Sequence, residues 1–255
     1  MTQQPERPLV GGEAETPGAT GRLGAPTLAE DLLLLLFQPN SGLRSGTGTI
    51  AGENTLFYTL AGAVLADLGL GEHVRTDSGR AGTTRVRAVE DNPPSDDILR
   101  LTWDYVSEKP RGVQTVLAAI GPTLRGPLLD RLVERGDIRR ASRKTLGLFD
   151  TKVLQDGGNG RRSRLLEDVR DVLVEGAEPR PRVAALAALL SGSGTLPQFH
   201  REIPWTTPVI TRAKELERGS WGAGAAAEAV ARTVTATIVS NVGNVVIAAT
   251  VPPGN

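Results

Sequence analysis

The sequence predicts a mainly α-helical fold, a single multi-helix domain around a central helical bundle with one or two short β-hairpins. Three observations carry this. Apolar residues recur at three- and four-residue spacing in one segment after another, as in Leu56, Leu60, Val64 and Leu68. Glycine and proline punctuate the chain between those segments, as helix stops and starts do. Only two stretches alternate apolar and polar residues as strands would, and neither is long enough for a large sheet. At 255 residues the chain can bury one good core.

Residues 1–26 are rich in Pro, Gly and Glu and lack the basic start and apolar centre of a signal peptide, so they read as a disordered tail on a cytoplasmic protein. The folded domain is expected over 27–255. Thr27 and Glu30 form a capping box, each side chain placed to accept from the other's backbone N–H, and Leu32 to Phe37 follow as a buried helix. That apolar run is far short of the roughly 20 residues that span a bilayer. Residues 39–54 are a glycine-rich loop. Gly46, Gly48 and Gly52 match neither the Walker nor the dinucleotide spacing, so a nucleotide cradle is disfavoured. Thr55 to Leu70 form a helix in which Ala61, Gly62, Ala63 and Ala66 permit close packing at the centre of the core.

His73 to Arg75 and Thr83 to Val89 read as an edge hairpin turning at Asp77-Ser78-Gly79. Asn92 to Ser95 is a break ending in an N-cap. Asp96 and Asp97 then lie in a first helical turn, where carboxylates complement the dipole, a reading preferred to a paired acid/base site. Val113 to Ile120 is a helix that Gly121 and Pro122 end. Gly126 and Pro127 open the next, with Leu128, Leu129, Leu132 and Val133 on its apolar stripe and Gly136 as its stop. A hairpin follows over 138–149, Ile138 to Ser142 pairing with Thr145 to Phe149 across a tip of Arg143 and Lys144.

Beyond a flexible loop at 155–160, Arg161, Arg162 and Arg164 open a helix carrying Leu165, Leu166, Val169, Val172 and Leu173. Cations there oppose the macrodipole. A solvated arginine face is the favoured reading, with an acidic partner as the other. Further helices are expected from Pro181 to Leu190, from Pro208 to about Arg218, and from about Gly222 onward. Thr233 to Val251 carries no charge, but its asparagines and threonines favour a buried closing helix with an irregular tail over a membrane anchor.

The charge balance narrows the functions. A net charge of zero gives the whole molecule no pull toward nucleic acid or membrane, so any such pull is local. The absence of cysteine excludes disulfides and thiol chemistry. His73 and His200 are the only histidines, and neither lies in a nucleophile or zinc motif. No enzyme activity, metal or cofactor is expected. Arginine outnumbers lysine heavily, and alanine and glycine are abundant, a bias that looks like a high-G+C bacterial gene.

Five phrases, in order, are Leu28-Ala29-Glu30-Asp31, Leu60 to Leu68 (LAGAVLADL), Leu132-Val133-Glu134-Arg135-Gly136, Leu148-Phe149-Asp150, and Arg182-Val183-Ala184-Ala185-Leu186. Their order and spacing over roughly residues 27 to 235 resemble the Golgi phosphoprotein 3 family. The resemblance implies a mostly helical peripheral membrane protein with a projecting hairpin. The family's eukaryotic members bind phosphatidylinositol 4-phosphate and help retain glycosyltransferases. Their phosphate pocket uses a tryptophan and three arginines, and those positions fall on Gly52, Ala61, Pro122 and Arg125, so that only Arg125 is retained. Arg44, Arg131 and the arginines at 161 to 164 are candidates for a different anion site. The family's two apolar tip residues fall on Leu146 and Gly147. Expected membrane or oligomer contacts are therefore Arg139, Arg140, Arg143, Lys144 and Leu146, with an anionic phospholipid surface as partner and self-association through the 138–149 hairpin. A helix followed by an arginine-rich hairpin also describes a winged helix on DNA, which the neutral net charge argues against.

Overall fold

The computed structural model describes residues 23–39, 47–78, 84–145, 149–219 and 221–250, and for 143–145, 149–151 and 243–250 the backbone alone. In chain order the elements are α1 (Leu28–Leu36), β1 (Phe37–Gln38), β2 (Thr49–Ile50), α2 (Leu56–Leu70), β3 (Val74–Ser78), β4 (Thr84–Ala88), α3 (Asp97–Ser107) and β5 (Arg111–Gly112). There follow α4 (Val113–Glu134), β6 (Ile138–Thr145), β7 (Phe149–Asp156), α5 (Arg161–Leu173), α6 (Pro181–Gly192), a 3-10 turn over Leu196–Phe199, α7 (Thr207–Glu217) and α8 (Ala225–Thr250). The fold is mainly α, and its strands pair antiparallel as β1-β2, β3-β4-β5 and β6-β7.

Three helices form the centre. Every residue of α1 is buried, and the expected capping box is present, with Thr27 N–H donating to Glu30 Oε2 at 2.7 Å and Glu30 N–H to Thr27 Oγ1 at 3.2 Å. α2 is apolar nearly all round and packs against α1, α3, α4, α6 and α8, the pattern of a helix wholly inside a core. Its small residues do the work expected of them, since a Cβ on Gly62 would lie 2.4 Å from Ile238 Cδ1 of α8. α6 buries Val183 through Leu190 without a break.

The largest correction concerns α4. Gly121, Pro122, Gly126 and Pro127 neither end nor start a helix, because α4 runs unbroken through all four. Its buried stripe of Val113, Val116, Leu117, Gly121, Leu124, Leu128 and Leu132 keeps three- and four-residue spacing past both prolines. The prolines lie on the exposed side, as do Ala118 and Thr123, whose carbonyls they leave unpaired and which water can serve. Two interior prolines cost about 6 kcal/mol, while each large apolar side chain on the stripe contributes about 1.5–3 on burial. Packing wins. Gly121 is a close-approach residue rather than a stop, for a Cβ there would meet the Phe57 carbonyl oxygen at 2.6 Å.

Gly136 does end α4, in the left-handed conformation (φ 72°), with Gly136 N–H donating to Val133 O and Asp137 N–H to Leu132 O. The following hairpin is longer than 138–149. β6 reaches Thr145 and β7 reaches Asp156, so Arg143 and Lys144 occupy strand positions opposite Thr151 and Asp150 instead of the tip. Leu146 and Gly147 lie outside the described residues. β5 is a third strand beside the expected β3-β4 hairpin, in which Asp77 and Ser78 pair with Arg85 and Thr84 as strand residues instead of turning, and Gly79 lies outside the described residues. Asp96, not Ser95, is the N-cap of α3, accepting from Ile98 and Leu99 N–H at 2.9 and 3.2 Å. α8 buries Ala227, Val230, Val234 and Ile238 as a closing helix should, yet it stays helical to Thr250 where an irregular tail was expected. Among the described residues no helix is long and apolar enough to cross a membrane.

Candidate functional site

Buried charge is concentrated at the N-terminal end of α1. Glu30, fully buried, accepts from Thr27, from Arg135 Nε at 2.7 Å and, at 3.6 Å, faces Arg131. Asp31 takes Arg182 at 2.6 Å and Arg161 as well, and Arg161 spans from Asp31 to the buried Asp137. Arg131 also grips Asp96 at 2.5 Å. Burial alone would lower its pKa, and Asp96 and Glu30 more than offset that, so it is raised. Asp67 of α2 accepts from Leu28 N–H at 2.7 Å and meets Arg182 at 3.4 Å. Desolvation is the larger influence on it, and its pKa is raised despite the arginine.

The structure corrects the favoured reading for Arg161 and Arg162 of the three arginines that open α5, while Arg164 is exposed as that reading has it. Arg161 does not face solvent; its acidic partners are Asp31 and Asp137 of the same chain. Arg162 donates through Nε to Phe37 O at 2.6 Å and through Nη2 to Leu35 O at 3.4 Å, satisfying the last carbonyls of α1. Arg164 reaches Asn159 O at 3.3 Å. One signal for the cluster was present in the sequence: Glu30 and Asp31 are two carboxylates inside a leucine run, where charge is not buried without partners.

Arg125 lies in the thirteenth position of α4. It therefore has no helix N-terminus beside it, because α4 runs unbroken through Gly126 and Pro127. Its partner is Glu53 at 2.8 Å, both side chains about half exposed. Glu53 follows Gly52, so Arg125 is tied to the sequence neighbour of a second aligned pocket position. Ala61 is fully buried in α2 and Pro122 faces solvent on α4. A cleft of about 430 Å³ beside Gly52 is lined by Glu53, Asn54, Thr55, Ser193 and Thr195, with no cation on its wall among the described residues.

The β6-β7 hairpin stands on Ile138, which is buried, and on Leu154, which packs partly against the core. Gly48 N–H donates to Leu154 O at 2.9 Å and ties the arm to the β1–β2 connection. Arg139 and Arg140 are exposed, and Arg140 pairs with Asp130 at 2.6 Å. Arg44 lies outside the described residues. Among those described, no group of three His, Asp or Glu residues is arranged to hold a metal.

The described residues thus form a helical body that carries a two-stranded arm with exposed Arg139 and Arg140 at its base. The chain belongs to the Golgi phosphoprotein 3 (GPP34) family, whose profile matches residues 28–233. Comparison with curated proteins returns no match. The family's phrases acquire a physical meaning here, because Glu30, Asp31, Asp67, Arg135 and Arg182, from four of the five, meet in the one buried cluster.

Proposed function

We propose that the protein is a cytoplasmic adaptor that attaches peripherally to an anionic phospholipid surface through the β6-β7 arm and Arg125. One observation carries this reading. The chain as a whole is neutral, yet residues 138–156 hold five cations, Arg139, Arg140, Arg143, Lys144 and Lys152, against the two carboxylates Asp150 and Asp156. Such a local excess attracts an anionic leaflet at about 1 kcal/mol for each basic residue near the surface. Four of those cations, with Leu146 buried for a further ~1.5–3 kcal/mol, correspond to a dissociation constant of about ten micromolar or weaker. Firm attachment therefore calls for several copies, and self-association through the arm would supply them. A two-stranded ribbon is marginal alone in water, and its edges favour pairing with a second copy.

The charge of α4 disfavours the winged-helix reading, since its exposed charged residues are Arg125 against Asp130 and Glu134. The experiment is flotation on liposomes with and without anionic lipid at two salt concentrations, beside a gel shift with duplex DNA. Arg125→Glu and deletion of residues 140–148 are each expected to reduce flotation in folded protein. Undiminished flotation by both variants, or salt-sensitive binding to DNA alone, would overturn the reading.

A further inference from the structure

At the opposite end of α1 from the ion cluster lies a cavity of about 520 Å³, within the range of small-molecule sites. Arg162, His200, Arg201, Gln198, Gln38 and Glu202 are on its wall. Two of the five N–H groups of Arg162 are given to the carbonyls of Phe37 and Leu35, and no carboxylate among the described residues comes within ion-pair distance. Burial pulls its pKa below the ordinary value, with Glu202 and Asp156 opposing the shift from a distance. Arg201 and His200 are exposed at the rim, and Glu202 is the one carboxylate among the lining residues.

The cavity also has a definite place relative to the arm. β1 and β2 supply part of its wall, and Gly48, next to the lining residue Thr49, carries the hydrogen bond to Leu154 of β7. It therefore adjoins the base of the cationic arm. A half-buried guanidinium whose partners among the described residues are neutral carbonyls gains most from an anion with several oxygens, which it can grip with two parallel N–H groups while a second arginine closes from the rim.

We propose that this cavity binds a phosphate monoester between Arg162 and Arg201, and that a lipid head group enters it while Arg125 and the arm contact the membrane surface around it. The second clause rests on the membrane reading above. The cleft beside Gly52 presents Glu53, which already holds Arg125, whereas this cavity presents two arginines against one carboxylate.

The test uses the full chain with glycerol 3-phosphate as soluble probe in calorimetry. Flotation is run in parallel on phosphatidylcholine vesicles containing either phosphatidic acid, which exposes a monoester, or phosphatidylglycerol, which does not. Arg201→Glu, at an exposed position, and Arg162→Lys, which keeps the charge and loses the fork, are each expected to weaken glycerol 3-phosphate and phosphatidic acid binding at least tenfold, with unchanged circular dichroism. Binding of the soluble probe that both variants weaken, without flotation on either vesicle, would support the site and overturn the membrane reading. Equal flotation on both vesicles that neither variant changes would overturn the site and leave the membrane reading in place. No binding of either kind by the unmodified chain would overturn both.

Discussion

Arg161 and Arg162 are neighbours in sequence and serve opposite ends of α1. Arg161 joins the N-terminal cluster, where it bridges two buried carboxylates, while Arg162 rests against the C-terminal carbonyls and borders a cavity. The first end is saturated: four arginines and five carboxylates pair with one another and leave little for a ligand. The second has a half-buried cation whose partners among the described residues are neutral. A run of arginines in a sequence therefore says nothing of its use until the counter-charges are located. In this chain the locating is done by helix α1, which carries Glu30 and Asp31 at one end only.

That contrast breaks first if the saturated end turns out to be dispensable. Asp31→Ala leaves Arg161 and Arg182 without their shared carboxylate, and loss of one partner of a buried pair costs about 3–5 kcal/mol. Urea unfolding monitored by circular dichroism should show it, and a loss below about 1 kcal/mol would mean that water reaches the cluster. At the other end the cost is smaller. Arg162→Lys forfeits hydrogen bonds to carbonyls that solvent or the lysine can partly replace, an effect of about 1 kcal/mol in the same measurement. If Arg162→Lys proved as damaging as Asp31→Ala, the two ends would not differ in kind.

Asp67 sharpens the comparison through pH. Its folded-state pKa is raised above the ordinary 3.8, chiefly by burial, so in the window from 3.8 up to that value the folded state binds more protons than the unfolded. Stability from this group accordingly falls as pH rises through the window and is level above it. Asp67→Asn should remove that dependence, so that the variant's stability relative to the parent increases with pH across the window. A parallel pair of stability curves would show that Arg182 compensates the burial fully. The smallest effect belongs to the surface pair. Glu53→Ala and Arg125→Ala should each change stability by less than about 1 kcal/mol, since both side chains are about half exposed. Each is thus suited to binding measurements on an intact fold.

Most of the helices were legible because their signals are local. Thr27 with Glu30, Gly136, Pro181 and the small residues of α2 mark starts, stops and contacts that the structure repeats. α4 was misread for the same reason. A proline's local cost is visible in the sequence, but the stripe from Val113 to Leu132 that outweighs it acts by packing against α2, α1, α3 and α8, neighbours no local pattern reveals. The candidate site was less legible still. Arg125 was placed by alignment and its helix terminus inferred from Pro127, which the unbroken α4 removed. The cavity at Arg162 draws on residues 38, 162 and 201, brought together only by the fold.

The buried cluster also has a consequence in time. Glu30 must wait for Arg135, and Asp31 for Arg182, which follows 151 residues later. At roughly 5–20 residues per second, synthesis separates Asp31 from Arg182 by about 8–30 s. Until Arg131 and Arg135 are made the nascent chain holds a leucine-rich helix with two carboxylates and none of its arginine partners, and until Arg182 is made the set stays incomplete. A fragment ending at residue 160 is therefore expected to lack cooperative melting, and the full-length chain to depend on holdase chaperones while it is being made.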